Sequence, residues 1–288
     1  MENYRKKLLI LDSTSMAGHM ICSYLNFINK YDIVNIICDS SLANQECYVD
    51  VDDKQFLYKT IHKYNPDIII NCLRLLIDES EVRPDKAIYY NSYIPHYLSR
   101  IGKEINAKII QLSTDCVFSG KKGGYNENDF KDGENYYART KALGEIINER
   151  DLTLRTSFIG PNINDKNEEL FHWFLLQKGE VNGYTKAFWT GITTLELAKS
   201  IGRAIEIDLR GLYHLVPKEK ISKYDLLNLI KYIWNKNDVV IKSDDTISID
   251  KSLIDNRKIL ETSSYLPMFE DLYNWMVINK KLYKCYFK

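Results

Sequence analysis

The sequence predicts an α/β chain built on a doubly wound parallel sheet, with a smaller C-terminal lobe. Three observations predict it. Short, nearly continuous apolar runs recur at residues 7–11, 33–38, 68–72 and around Ile109-Ile110, as in strands buried on both faces. Helical patterns separate them, as βαβ crossovers require. Small polar residues, Ser113, Thr114 and Asp115, close the run at Ile109-Ile110. That is the strand end at which open α/β sheets bind their ligands.

The 288 residues are enough for one large α/β unit with a second lobe. Lys+Arg and Asp+Glu balance at 39 each, so the formal net charge is zero. That removes the electrostatic case for a nucleic-acid or membrane-surface partner. No apolar run reaches the roughly 18 residues of a membrane span. The charged start runs straight into a strand, unlike a secretion signal. Cysteines at 22, 38, 47, 72, 116 and 285 form no Cys-x-x-Cys pair. A reduced, cytoplasmic setting without a metal site is expected. The oligomer is left open, a homodimer included.

Taken in order, residues 7–11 are the first strand, and a helical pattern runs from Met16 to about residue 29. A dinucleotide-binding turn between them calls for Gly-x-x-Gly-x-x-Gly. The matching positions are Asp12, Ser15 and Gly18, so only the third glycine is present. Ser15 is small enough to let backbone amides reach a phosphate. The Asp12 carboxylate would face an anion unless it turns away or caps the helix. The second strand ends at Asp39, where an acidic side chain accepts from ribose hydroxyls and disfavours a 2′-phosphate. Asp52 or Asp53 caps a helix through residue 64. Residues 65–67 are a turn, 68–72 a central strand, and Pro84 opens the next helix.

A loop rich in Gly, Lys and Asn then leads to a helix from about Glu134. Residues 152–154 read as a sixth strand, and from Gly160 the chain is loop-rich and aromatic. Thr193 caps a helix to about residue 205. Residues 211–216 form a strand that rejoins the main sheet, 220–234 an amphipathic helix, 236–250 a short polar strand region and 269–277 the last helix. No repeat or linker is visible, so the lobes interleave. Residues 1–158 belong chiefly to the nucleotide-binding unit and 159–288 chiefly to the second lobe.

Chemistry concentrates at Thr114, Tyr137 and Lys141. Tyr137 and Lys141 stand four apart, hence on one helix face. A ketone reduced by hydride develops negative charge on its oxygen. A phenol can supply the proton, although a free phenol titrates near pH ~10. An ammonium one turn away favours the phenolate, and a threonine hydroxyl can hold the carbonyl in line. Tyr232 and Lys236 share the spacing but lack an upstream strand-end hydroxyl, and read as a solvated helix face.

The residues around this set resemble the extended short-chain dehydrogenase/reductase superfamily, and within it the dTDP-4-dehydrorhamnose reductase type. The likeness rests on Ser113-Thr114-Asp115-Cys116-Val117-Phe118-Ser119-Gly120, Tyr125-Asn126-Glu127, Tyr137-Ala138-Arg139-Thr140-Lys141 and Gly144-Glu145. It continues in Leu154-Arg155-Thr156-Ser157, Thr193-Thr194-Leu195-Glu196-Leu197-Ala198 and Gly211-Leu212-Tyr213-His214-Leu215. It covers nearly the whole chain. It implies a Rossmann-type sheet, a C-terminal substrate-binding lobe, NADPH or NADH as coenzyme and a nucleotide sugar as substrate. Asp39 favours NADH.

Coenzyme contacts are implied at Ser15, Met16, Gly18, Asp39, Asp50, Val51, Asn71, Cys72, Leu73, Asn91, Tyr137 and Lys141. Asp50 and Val51 would lie beside the adenine, and Asn91 would steady the catalytic strand and helix. Arg74 stands where the family has small residues and could reach a phosphate. Substrate contacts are implied at Thr114, Asp115, Val117, Phe118 and Trp189.

Cys116 departs from the tyrosine common at this position. It matches the cysteine of nucleotide-sugar 3,5-epimerase/4-reductases, where it exchanges protons at sugar carbons acidified by a 4-keto group. A second acid is then needed on the other lobe. His172 is the first candidate and Lys178 the second. The expected activity is reduction of a dTDP- or UDP-linked 4-keto-6-deoxy sugar to an L-rhamnose-type donor, with 3,5-epimerisation as an addition. The alternative is a non-catalytic regulatory subunit of the same fold, which the altered glycine turn would suit.

Overall fold

The computed structural model describes residues 4–45, 47–163 and 169–287. The first half runs β1 (Lys7–Leu11), α1 (Met16–Ile28), β2 (Asp32–Ile36), α2 (Lys54–Tyr64), β3 (Ile68–Asn71) and α3 (Ile77–Val82). Then come α4 (Pro84–Ala87), a π-helical turn over Ile88–Tyr93, α5 (Ile94–Ile105), β4 (Lys108–Ser113) and α6 (Tyr136–Leu143). The second half runs β5 (Leu152–Arg155), β6 (Phe158–Ile159), α7 (Leu170–Leu176), β7 (Gly179–Trp189), β8 (Ile192–Thr193) and α8 (Thr194–Glu206). It closes with β9 (Gly211–His214), β10 (Ile221–Ser222), α9 (Lys223–Ile233), β11 (Val239–Asp250) and α10 (Tyr265–Ile278).

The main sheet has the order β2-β1-β3-β4-β5-β9, with every pair parallel. This is the expected doubly wound, Rossmann-type α/β architecture. Alternate residues of each strand serve opposite faces. Leu8, Ile10, Ile68, Ile70 and Ile110 join one core with α1 and α8. Leu9, Leu11, Ile69 and Ile109 join another with α2 and α5. The chain leaves β1 for β2 on one side and returns to β3 on the other. That reversal opens a crevice at the carboxyl ends of β1 and β3, where such sheets bind ligands.

Several elements differ from expectation. β2 stops at Ile36, and Ile37 makes only an isolated bridge to Tyr48. Residues 77–82, ahead of the helix expected to open at Pro84, form α3. The strand at 152–155 is the fifth in chain order, not the sixth. The helix expected from residue 220 begins at Lys223, after the short β10.

The largest correction lies at residues 179–189. They form the eleven-residue strand β7, which pairs in parallel with the twelve-residue β11. Glycines at 179 and 183 gave that stretch the look of a loop. A Cβ on Gly183 would meet Ile241 at 2.8 Å and Tyr224 at 2.9 Å, so the glycine lets α9 and β11 pack closely. Among the described residues no helix is long and apolar enough to cross a membrane.

Candidate active site

A cavity of about 260 Å³ opens where the strand ends meet the second lobe. β1 is followed there by Met16, β3 by Cys72, Leu73 and Arg74, and β4 by Thr114, Asp115 and Cys116. α6 contributes Tyr137 and Lys141, and the second lobe contributes Glu169, Trp189 and Lys223.

The start of α6 is fixed by Asn135, whose side chain accepts from Ala138 N at 2.8 Å. Tyr137 and Lys141 therefore face the cavity from one side of the helix. Lys141 Nζ donates to the Leu112 carbonyl at 2.8 Å. Burial draws Lys141 down to about 8, and the Arg74 guanidinium acts in the same direction. Burial also pushes the Tyr137 phenol up, while Arg74 and the Thr114 hydroxyl pull it partly back. The cation expected to lower Tyr137 was Lys141; the one that acts on it here is Arg74. Thr114 Oγ1 donates to Asp115 Oδ1 and accepts from Cys116 N, each at 3.1 Å. Burial, followed by the Asp115 charge, raises the Cys116 thiol to about 11.

Behind these groups the framework is tight. The Asn91 side chain accepts from Leu75 N at 2.9 Å and donates to Leu75 O at 3.2 Å and Thr140 Oγ1 at 3.3 Å. It thus ties the segment after β3 to α6. Glu145, just past α6, is gripped by Arg155 through two bonds of 2.8 Å and by Ser113 Oγ at 2.7 Å. Both members of the ion pair are buried. Asn71 and Gln111 join β3 to β4 through a 2.7 Å side-chain bond.

The turn after β1 keeps a glycine-like shape without its first glycine. Asp12 adopts φ 63°, the left-handed conformation that aspartate tolerates better than most residues. Ser15 caps α1, accepting from Gly18 N at 3.2 Å and donating to Asp12 O at 2.8 Å. A Cβ on Gly18 would lie 2.1 Å from that same carbonyl, so this position requires glycine. Ser15 N donates to Asp12 O, Gly18 N to the cap and His19 N to Ser15 O, so the Met16 and Ala17 amides are the ones that suit a phosphate. Burial holds the Asp12 carboxyl up, at about 6, with Arg74 opposing. A dinucleotide's diphosphate therefore fits this turn best when Asp12 is protonated.

Met16, Cys72, Leu73, Thr114, Asp115, Cys116, Tyr137, Lys141 and Trp189 are brought together at the cavity. Ser15 and Gly18 build the adjoining turn. Asp39 caps the 3₁₀ turn at Ser40–Leu42, accepting from Ser41 N at 2.9 Å. Asp50 accepts from Asp52 N at 3.0 Å, and the carbonyl of buried Val51 accepts from Tyr89 at 2.8 Å.

Other expected contacts lie elsewhere. Asn71 is fully buried and spends its side chain on Gln111 and Leu73 N. Asn91 acts through the framework just described. Val117 and Phe118 do not reach the cavity: both are fully buried with Tyr125, Val216 and Leu253, and Phe118 stacks on Tyr125 at 4.2 Å. The strand-end turn points Asp115 and Cys116 outward and these two inward. His172 is buried on α7, 3.0 Å from the Tyr286 hydroxyl, and does not line the cavity.

Arg74, Glu169 and Lys223 are brought in by the tertiary structure. Arg74 forms an ion pair with Glu169 and lies over the Phe158 ring. Lys223 lies over the Trp189 ring at 4.9 Å. The charge of Lys223, on a helix with an apolar face, gave no signal that set it apart from solvated lysines.

Residues 32–247 match the family described as RmlD substrate binding domain. The chain is 24% identical over 237 residues to the dTDP-4-dehydrorhamnose reductase of Aggregatibacter actinomycetemcomitans, covering 76% of each. It is 25% identical over 248 residues to the methionine adenosyltransferase 2 subunit beta of Mus musculus, covering 80% of this chain and 72% of that one. In fold it superposes on the Bacillus anthracis dTDP-4-dehydrorhamnose reductase in complex with NADP, with a TM-score of 0.81. That match has 19% identity and covers 94% of this chain and all of the other. With most of its length matched, the chain belongs to the RmlD substrate-binding-domain family.

Proposed function

We propose that the chain is an NADPH- or NADH-dependent reductase of a nucleotide-linked 4-keto-6-deoxy sugar of the dTDP- or UDP-4-dehydrorhamnose type. The observation that carries this reading is that Thr114, Tyr137 and Lys141 line one cavity at the strand ends. The coenzyme, when bound, supplies the hydride. The amides at the start of α1 would hold its diphosphate, and Lys141 would hold its nicotinamide ribose. Thr114 Oγ1 orients the keto oxygen. Tyr137 keeps its proton at neutral pH because burial raises the phenol, and it delivers that proton to the alkoxide forming at C4. The Arg74 cation stabilises the phenolate left behind.

Cys116 favours the bifunctional form of this activity. Its raised thiol suits it to return a proton to a sugar carbon next to the keto group, after a base on the opposite face has taken that carbon's hydrogen. His172 cannot supply the second acid from its place beside Tyr286.

Incubation with dTDP- and UDP-4-keto-6-deoxyglucose, with NADH or NADPH, tests both parts by NMR of the product. Reduced sugar supports the reductase, and solvent deuterium at C3 or C5 supports epimerisation. The regulatory-subunit reading draws on Asp12 in the glycine turn and on the likeness to the mouse subunit. Calorimetry showing no binding of either coenzyme, with nucleotide sugar present, would favour it.

A further inference from the structure

Lys223 is the first helical residue of α9, immediately after its cap Ser222. Its side chain reaches, from the second lobe, the cavity that Thr114 and Tyr137 also line, where the charges of Asp115 and Cys116 favour the ammonium. Three features of this ammonium are unfavourable in the free protein. A cation at a helix N-terminus opposes the helix dipole. Burial draws the group below its ordinary value. Among the described residues, no acceptor lies within hydrogen-bond or ion-pair distance of it. The face of Trp189, itself 4% exposed, offsets part of this cost through a cation–π contact.

The other two cations of the cavity are already engaged. Lys141 donates to Leu112 O, and Arg74 is paired with Glu169. An arriving anion would therefore find one cation whose ammonium protons have no acceptor among the described residues, with only the charges of Asp115 and Cys116 nearby to favour it, reinforced by the positive end of α9. The coenzyme's diphosphate has its own place at the amides of α1. The remaining anion in the proposed reaction is the diphosphate that joins sugar to nucleoside.

We propose that Lys223 is the contact for this substrate diphosphate, and so the residue by which the second lobe recognises nucleotide-linked sugars over free ones. The assignment rests on the function proposed above. It explains the three unfavourable features together: a bound diphosphate supplies the acceptor, answers the charge and matches the dipole.

The test is calorimetric titration of the full chain with dTDP and with UDP, neither carrying a sugar. Loss of a charged hydrogen bond should weaken nucleotide binding by about tenfold to a hundredfold in Lys223→Met. Lys223→Gln, which keeps polarity and approximate length, should lose the same affinity. Lys223→Arg should recover most of it, and added salt should weaken binding to the wild type more than to Lys223→Met. Coenzyme titration should be alike in all four proteins, and Lys223→Met, relieved of the unfavourable ammonium, should melt no lower than the wild type. Undiminished nucleotide affinity in both Lys223→Met and Lys223→Gln would overturn the assignment, whatever happens to turnover. A wild type that binds neither nucleotide would overturn it too. A wild type that binds dTDP or UDP through Lys223 but reduces no 4-keto sugar would leave the assignment standing and remove the reductase reading.

Discussion

Gly144 and Asn91 meet backbone to backbone. A Cβ built on Gly144 would lie 1.8 Å from the Asn91 carbonyl oxygen. The end of α6 is thereby pressed onto the π-helical turn, and the same Asn91 side chain bonds Thr140 one turn back. Tyr137 and Lys141 take their positions from this crossing. Gly144→Ala should cost ~1–3 kcal/mol, as overpacking does. It should also lower turnover by displacing α6. Denaturant melts and kcat measured on the same preparation check both effects; wild-type values for both would mean the crossing is slack.

Removing the phenol alone separates chemistry from packing. Tyr137→Phe keeps the ring of a buried residue and deletes the hydroxyl proposed as proton donor. Turnover should fall by about 10²–10⁴ with the melting temperature nearly unchanged. Residual activity at the wild-type level would exclude Tyr137 as the donor.

Lys141 gives the reduction a pH limb of definite sign. Its folded value is near 8, below the ordinary 10.5. The ammonium is present below about pH 8 and is lost above it, so the reductive kcat should decline as pH rises through that value. Stability should move oppositely. The unfolded chain holds this proton more tightly, so unfolding free energy should rise between about pH 8 and 10.5. Lys141→Met should remove both dependences, gaining stability at neutral pH while losing turnover. A flat profile for the wild type would count against this placement of the ammonium.

Asp12 is expected to handicap coenzyme binding at neutral pH. Its carboxyl sits near 6, so it is charged above that value and neutral below. Asp12→Gly fits the φ of 63° and removes the charge. It should tighten coenzyme binding by two- to fivefold near pH 8, the effect of ~0.3–1 kcal/mol for one charge at a helix terminus. Near pH 5 the two proteins should converge. Coenzyme fluorescence titrations at the two pH values check the trend; an equal gain at both would show that the turn geometry, not the charge, is limiting.

Much of the site was legible in the residue order because it is local. Ser113 to Cys116 are consecutive, Tyr137 and Lys141 share a helical turn, and Asn91 carried a recognisable supporting role. Val117 and Phe118 were misjudged because a 3₁₀ turn at Asp115–Val117 sends successive side chains to opposite sides of the strand end. No periodic rule marks where that reversal falls. His172 failed for another reason: its helix faces Tyr286, a residue 114 positions away.

The amino-acid order by itself determined the strands of the main sheet, their parallel stacking and the pairing of Tyr137 with Lys141 on one helix face, since apolar runs must be buried and i,i+4 residues must be neighbours. Tertiary structure decided which distant charges share the cavity. Arg74, Glu169 and Lys223 come from three segments with no common periodicity, and only the docking of the second lobe against the strand ends removes them from water together. Desolvation is what gives Arg74 its force on Tyr137 and Lys141, and desolvation is a property of the assembled fold.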